Sequence, residues 1–325
     1  MSAFDSKSDT QARPLLKLAP VDAGAGVSIV APAASPHLDR AELGMKGMRA
    51  LGFLPKLGHH AFQKGPLYFA GTVAQRLEDL HKAFSDKDTS AVLCLRGGYG
   101  SNYLLGHLDL EVIRQHPKPF FAYSDLTGIQ LHLLDQIGLP AFHGPMVAAD
   151  FASEKGVHLP SLQAALSGVP YTLGAAEGLR ILKSGRLFSE VRGTLYGGCL
   201  SILVSLLGTP WEPRTEGKLL FLEDTGAKPY QVDRMLWQLQ HAGKLKGVRG
   251  IVFGEMLDCV SPGASPRLLE EVILRVFDDF EGPIAIGLRS GHVSHGNVTL
   301  TFGVQAELVH TDEANLHLLQ PAVTR

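Results

Sequence analysis

Short apolar runs alternate along this chain with longer stretches whose apolar residues recur at helical spacing. Gly26-Val27-Ser28-Ile29-Val30-Ala31-Pro32 predicts a buried strand that ends at a turn, and Leu38 to Leu51 predicts a helix. A second helix is predicted over Gln75 to Phe84, with Leu77, Leu80 and Phe84 on one side. Ala91-Val92-Leu93-Cys94-Leu95 then reads as a strand stopped by Arg96-Gly97-Gly98-Tyr99-Gly100. Phe120-Phe121-Ala122-Tyr123 is a third strand, followed by a helix over Leu126 to Ile137. Strands that alternate with helices argue for an α/β fold built on a parallel sheet.

Phe151 to Gly178 breaks this rhythm. Pro160, Gly168, Pro170 and Gly174 interrupt it and periodicity is weak, so residues 151–178 are assigned to a linker. The preceding unit spans 26–150. Residues 1–25 are polar, Gly/Ala-rich and aperiodic, and read as a disordered or loosely packed lead-in. The second unit, 179–325, begins near strand signals at Tyr171-Leu173 and Ser189-Val191 and a helix over Leu200 to Leu207. It continues with strand Lys218 to Glu223, helix Tyr230 to Ala242, strand Gly250 to Gly254, helix Pro266 to Phe277 and strand Pro283 to Gly287.

Composition narrows the function classes. The 325 residues suit two domains better than one core. A formal charge of -2 favours neither nucleic acid nor an anionic membrane. The three cysteines, Cys94, Cys199 and Cys259, are too scattered for a disulfide framework. The polar start lacks a secretory signal and no apolar run approaches a membrane span, so a cytoplasmic protein is expected. No metal-ligand spacing occurs, and Gly97-Gly98-Tyr99-Gly100 lacks the ending of a nucleotide-binding loop, so neither metal nor cofactor is expected.

Parallel sheets present their ligands beyond the carboxyl ends of the strands. Those positions here hold Gly97-Gly98, Ser124-Asp125, Glu223-Asp224 and Gly291-His292. They supply a nucleophile, an acid, a base and a glycine turn able to aim N–H groups at an oxyanion, which is what acyl transfer requires. Each also has a plainer reading. Ser124 or Asp125 could cap a helix, Glu223 or Asp224 could cap the next segment or pair with Lys228, and the glycine run could be a tight turn or a phosphate cradle. The Gly-x-Ser-x-Gly elbow is absent, since Ala122 and Leu126 stand at its glycine positions. His292 competes with His295, His59, His60 and His143 among 14 histidines.

An ordered set of short runs resembles the serine LD-carboxypeptidases, of the muramoyltetrapeptide carboxypeptidase and microcin-immunity types. The runs are Val30-Ala31-Pro32, Tyr68-Phe69-Ala70-Gly71-Thr72, Arg96-Gly97-Gly98-Tyr99-Gly100, Tyr123-Ser124-Asp125-Leu126-Thr127, His143-Gly144-Pro145, Gly197-Gly198, Leu220-Phe221-Leu222-Glu223-Asp224, Pro229-Tyr230, Asp233-Arg234-Met235-Leu236, and Gly291-His292 with Asn297 and Thr299-Leu300. The resemblance implies an N-terminal flavodoxin-like or Rossmann-like domain and a C-terminal swivelling β/β/α-type domain. It implies Ser124 as nucleophile, His292 as general base and Glu223 as the acid that orients it, with Asp125, Gly98 and Gly97 supplying oxyanion N–H groups. It further implies a homodimer that removes the terminal D-alanine from murein tetrapeptides during peptidoglycan recycling. Arg96, Tyr99 and Arg234 are candidates for gripping the substrate, and Arg289 is a further possible partner for its carboxylate.

Three departures bear on the substrate. Ala122 replaces a frequent glycine, Cys199 stands where the family's Gly-Gly-Asn run has its amide, and Val73 where its Ala-Gly-Thr/Ser-Asp run has its acid. The alternatives are an amidase or peptidase acting on a peptidyl or acyl-nucleotide conjugate, and a catalytically silent protein that binds a peptide or sugar.

Overall fold

The computed structural model describes residues 13–154, 156–186, 189–260, 263, 265, 267–311 and 313–324. Its strands are β1 (Gly26–Val30), β2 (Leu54–Leu57), β3 (Ala91–Cys94), β4 (Phe120–Ala122), β5 (Ala141–His143), β6 (Tyr171–Leu173) and β7 (Arg180–Lys183). They continue with β8 (Glu190–Cys199), β9 (Lys218–Glu223), β10 (Gly250–Gly254), β11 (Ile284–Leu288), β12 (Leu300–Phe302), β13 (Gln305–His310) and β14 (Ala314–Leu318).

Strands β1 to β5 are parallel, in the order β2-β1-β3-β4-β5. That is the flavodoxin-like order, whose ligand crevice opens where the connections from β1 and β3 diverge. The residues explain the arrangement. β3 and β4 are buried along their whole length, as strands covered by helices on both faces must be. The predicted helices are present as Leu38–Ala50, Val73–Ser85 and Thr127–Ile137. Thr72 caps the second of these, and its side chain and that of Gln75 exchange hydrogen bonds with each other's main chain.

The second sheet has eight strands, ordered β6-β14-β13-β8-β9-β10-β11-β7. β8 to β11 run parallel, and the flanking strands are antiparallel. Helices Pro229–His241 and Arg267–Val276 fall where periodicity predicts them; Pro266, the expected start of the latter, lies outside the described residues.

Two expected boundaries need correction. Residues 151–178 are not a bare linker: Leu159–Ser167 is a helix, and Tyr171–Leu173, where a strand is predicted, is the edge strand β6. The lead-in is packed where it is described, with Leu18 1% exposed and bridged to Val323, while residues 1–12 lie outside the described set. Period counting points to a linker over 151–178 because its prolines and glycines flank short elements. The division is also not linear in sequence. β12 leaves the second half and pairs antiparallel with β5, so the first sheet ends on a strand from the C-terminal part.

Phe302 of β12 is fully buried against His143 and Phe221, where the two sheets meet. Phe302→Ala is therefore expected to lower the free energy of unfolding by about 3–5 kcal/mol in denaturant titration. A loss below about 1 kcal/mol would contradict this packing.

Candidate active site

Ser124 follows the end of β4, at the start of a 3₁₀ turn, Ser124–Leu126, that leads into the helix from Thr127. Its φ is 64°, in the left-handed region. For a residue with a side chain that conformation costs about 1–2 kcal/mol, and it is the sharp strand-to-helix turn that lifts a nucleophile out of a sheet. No side chain caps either helical segment here, so the helix-cap reading of Ser124 fails. Ala122 avoids positive φ, so its methyl group carries no backbone strain.

The adjacent turn makes room for the serine. A side chain at Gly97 would begin 2.9 Å from Ser124 Cβ and 3.1 Å from its Oγ, and Gly98 has φ +99° with Ala34 close behind it. The N–H groups of Gly97, Gly98 and Asp125 donate to no acceptor among the described residues. The Asp125 side chain points away, taking the Ser101 N–H at 2.8 Å, while the Ser101 hydroxyl donates to the Asp125 carbonyl at 2.6 Å. These bonds tie the glycine turn to the serine turn.

Glu223 ends β9 and has no solvent exposure. Its Oε2 accepts the His292 ring Nδ1–H at 2.8 Å and the His292 main-chain N–H at 3.0 Å. Burial alone would raise this carboxyl, but the charge and hydrogen bonds of His292 outweigh it and hold it below its ordinary value. For His292, burial works against the charged ring, and the charge and hydrogen bond of Glu223 more than compensate, so its pKa is raised. Gly291, at φ +89°, permits the contact: a Cβ there would lie 2.6 Å from Glu223 Cδ. Because Nδ1–H donates to Glu223, Nε2 is left as the basic nitrogen.

Ser124 and His292 line one cleft of about 310 Å³, together with His37, Arg40, Arg96, Gly97, Gly98, Tyr123, Met146, Ala148 and Ala149. The His292 ring stands edge-on to Tyr123, with centroids 5.1 Å apart. No hydrogen bond joins Ser124 Oγ to the imidazole in this state; proton transfer would need them to close to about 2.6–3.2 Å. A hydroxyl on a strained turn, a carboxylate-held imidazole and free N–H groups around one cleft have the parts of an acyl-transfer site. A larger cavity of about 700 Å³, lined by Asp135, Arg214 and Lys218 among others, contains none of the predicted site residues.

Arg96 lines the cleft with one long hydrogen bond, 3.5 Å to the Ser35 carbonyl. Arg40 also lines it, but all three of its nitrogens donate to main-chain carbonyls of Ala148, Ala149 and Ala152. Two predicted substrate contacts lie elsewhere. Arg234 sits exposed on the helix over Pro229–His241 with its guanidinium over Tyr230. Tyr99 belongs to an exposed aromatic cluster with Tyr68, Phe69 and Tyr103. Neither lines the cleft. Arg289, the further possible partner, is bonded to the Ala176 carbonyl. Sequence position alone cannot separate arginines near a motif from arginines aimed into it.

The competing histidines have different surroundings. His295 is exposed and bonds Ser294, His60 pairs with Asp79, and His59 meets the His60 ring edge-on. His143 is fully buried and burial lowers its pKa to about 4. Of the acidic pair, Asp224 takes the capping part, accepting the N–H groups of Ser201 and of the following Thr225, and Glu223 accepts from His292. Cys199, the departure from the family's amide, is buried, and its Sγ lies 3.3 Å from Ser201 Oγ. Among the described residues no cluster could hold a metal ion. Sequence reasoning missed Asp150, a buried carboxylate beside the cleft. Its Asp-Phe context at the presumed domain edge carries no signal of that.

Comparison with known proteins places this geometry. Residues 27–144 match the model for the LD-carboxypeptidase N-terminal domain, and residues 192–308 the model for the LD-carboxypeptidase C-terminal domain. The chain is 36% identical over 292 residues to the probable murein peptide carboxypeptidase of Bacillus subtilis, covering 88% of this chain and 89% of that protein. It is 33% identical to the murein tetrapeptide carboxypeptidase of Pseudomonas aeruginosa, covering 82% and 87%. It is also 27% identical to the microcin C7 self-immunity protein MccF of Escherichia coli, covering 95% and 97%. Among solved structures, an MccF-like protein from Bacillus anthracis superposes with a TM-score of 0.84 at 25% identity over 94% of this chain and 99% of that one. A muramoyltetrapeptide carboxypeptidase from Oxalobacter formigenes gives 0.79 at 26% identity over 92% and 100%.

The raised pKa of His292 has a measurable consequence. The ring should remain protonated to higher pH than a free imidazole, so activity that needs it neutral falls as pH drops through that raised value. Glu223→Gln removes the main opposing charge and should move the His292 titration, followed by NMR, to lower pH. A wild-type pKa at or below the ordinary value of about 6.5 would contradict the pairing.

Proposed function

We propose, from the premise that this chain belongs to the LD-carboxypeptidase family, that it is a serine peptidase hydrolysing the bond before a terminal D-alanine in murein tetrapeptides. The observation that carries the reading is Ser124, held at positive φ on one sheet, sharing a cleft with a His292 that is fixed by the buried Glu223 of the other.

In the proposed reaction Nε2 of His292 accepts the Ser124 proton as Oγ attacks the scissile carbonyl. Glu223 holds the ring and stabilises its cation. The N–H groups of Gly97, Gly98 and Asp125 receive the charge that develops on the carbonyl oxygen. D-alanine leaves with the proton from His292. Water, deprotonated by the same ring, then releases the acyl group and restores Ser124. Arg96 is assigned to the substrate's terminal carboxylate, because it is the cleft arginine whose guanidinium is not already used by several main-chain carbonyls. We read the enzyme as a cytoplasmic homodimer, a reading that the family resemblance and its three free, buried cysteines support.

A second reading is kept because of the microcin-immunity relatives: cleavage of a peptidyl or acyl-nucleotide conjugate by the same residues. The higher identities to the murein-type relatives support the first reading.

Incubation with murein tetrapeptide should release D-alanine, and Ser124→Ala should lower kcat by at least about 10³-fold. Faster turnover of an aminoacyl-sulfamoyl nucleotide than of tetrapeptide would select the second reading. A fully active Ser124→Ala would sink both. Arg96→Ala should raise KM for tetrapeptide about 10- to 100-fold, the scale of a lost charged hydrogen-bond pair. Unchanged KM would remove Arg96 from carboxylate binding.

A further inference from the structure

We propose that Asp150 is a positioning residue for this reaction, holding the loop that carries His292 through Asn297 and bordering the strand end that carries Ser124 through Tyr123. The inference rests on the acyl-transfer reading above and adds two residues to it.

Asp150 lies in the turn Val147–Phe151, next to the cleft residues Met146, Ala148 and Ala149. Its two carboxylate oxygens are used separately. Oδ2 accepts the Met146 N–H at 2.8 Å, and Oδ1 accepts the Asn297 side-chain Nδ2–H at 3.2 Å. Asn297, fully buried, then accepts the Gly291 N–H on its Oδ1 at 3.0 Å. Gly291 precedes His292 and is the residue whose missing side chain admits Glu223. The Asn297 main chain is clamped as well: its N–H donates to the Gly156 carbonyl at 2.9 Å and its carbonyl accepts the His158 N–H at 3.1 Å. Asn297 is thereby fastened to the segment that follows Asp150, while its amide oxygen holds the turn that presents the imidazole.

The same carboxyl lies beside the Tyr123 hydroxyl, and the Tyr123 ring stands against the His292 ring. Tyr123 immediately precedes Ser124. Asp150 is thus placed between the element that delivers the nucleophile and the loop that delivers the base. Those elements belong to different sheets, and an error in their relative placement changes the gap between Oγ and Nε2 directly. Around Asp150 the titratable groups are Tyr123 and His292, and burial raises its own pKa to about 6. A buried acid is costly to keep where an apolar side chain would pack without penalty. Here every donor in the chain of bonds points toward it, so its acceptor character is what gives the Asn297 amide a single orientation.

The directionality supplies the test. Asp150→Asn sets two amides against each other, and Asn297→Asp sets two carboxylates against each other. The double swap combines both substitutions. In it the amide now at position 150 accepts from Met146 and donates to the carboxylate now at position 297, which accepts from Gly291, so every bond can re-form. Two readouts are taken on variants that keep the wild-type melting transition: kcat and KM for D-alanine release, and the rate at which a fluorophosphonate probe labels Ser124. Each single variant should lose about 10- to 100-fold in kcat and in labelling rate, with KM changed less than about 3-fold, the scale of supporting hydrogen-bond partners. The swap should return both rates to within about 5-fold of wild type, because coupled neighbours are non-additive. Single variants within about 2-fold of wild type, or a swap whose losses simply multiply, would overturn the proposal. If the singles do not fold, the swap alone decides: a loss above about 50-fold overturns it and recovery supports it. Ser124→Ala separates the two levels. If it abolishes labelling while Asp150→Asn labels normally, only the positioning role fails; if Ser124→Ala is itself active, the acyl-transfer reading fails and takes this inference with it.

Discussion

Glu223 Oε2 accepts two N–H groups from one residue, the ring and the main chain of His292, with no solvent exposure of its own. Much else is arranged around that contact. Two charge-assisted bonds contribute about 1.5–3 kcal/mol each, but only if nothing separates the partners. Gly291 and Gly254 accordingly lack the side chains that would collide with Glu223. Asn297 and Ser290 tie down the loop around the histidine, the first through the Gly291 N–H and the second through the Val298 carbonyl. Removing one partner of such a buried pair typically costs about 3–5 kcal/mol, so the loop geometry and the ionisation of His292 stand or fall together.

The opposite wall of the cleft is held by a different device. Ser124 keeps an unfavourable backbone angle, and the surrounding contacts over-determine it: Ser101 bonds both the carboxylate and the carbonyl of Asp125, and Gly97 leaves the space the serine occupies. Strain on one sheet and a carboxylate–imidazole pair on the other meet in the cleft without a direct hydrogen bond. Their register depends on how the sheets are joined. β12 does this covalently by crossing back to β5, and the side chains of His143, Phe221 and Phe302 fill the seam.

Much of this was legible in the chain. The buried strands that precede Ser124, Glu223 and Gly291 read clearly because each is a short apolar run closed by a turn residue, and parallel sheets expose such ends. The ordered motifs singled out Ser124, Glu223 and His292, and the cleft brings Ser124 and His292 together with Glu223 behind them. Arg234 and Tyr99 do not line the cleft, because a motif gives a residue's neighbourhood along the chain and not the direction of its side chain. The crossing strand β12 was missed because Leu300-Thr301-Phe302 is too short for a periodic signal, and its partner lies far away in sequence. Asp150 and the cap status of Ser124 depended on hydrogen-bond partners that no spacing rule specifies.

The account stands on Ser124 forming a covalent acyl intermediate under the control of a histidine from the other sheet. Rapid mixing with murein tetrapeptide, acid quenching within milliseconds and mass spectrometry of the digested protein would observe this directly. The predicted result is a transient adduct on the peptide that contains Ser124, its added mass equal to that of the tetrapeptide less one free D-alanine. Glu223→Gln should slow its formation. Turnover without any adduct on that peptide, or an adduct on another nucleophile, would contradict the account.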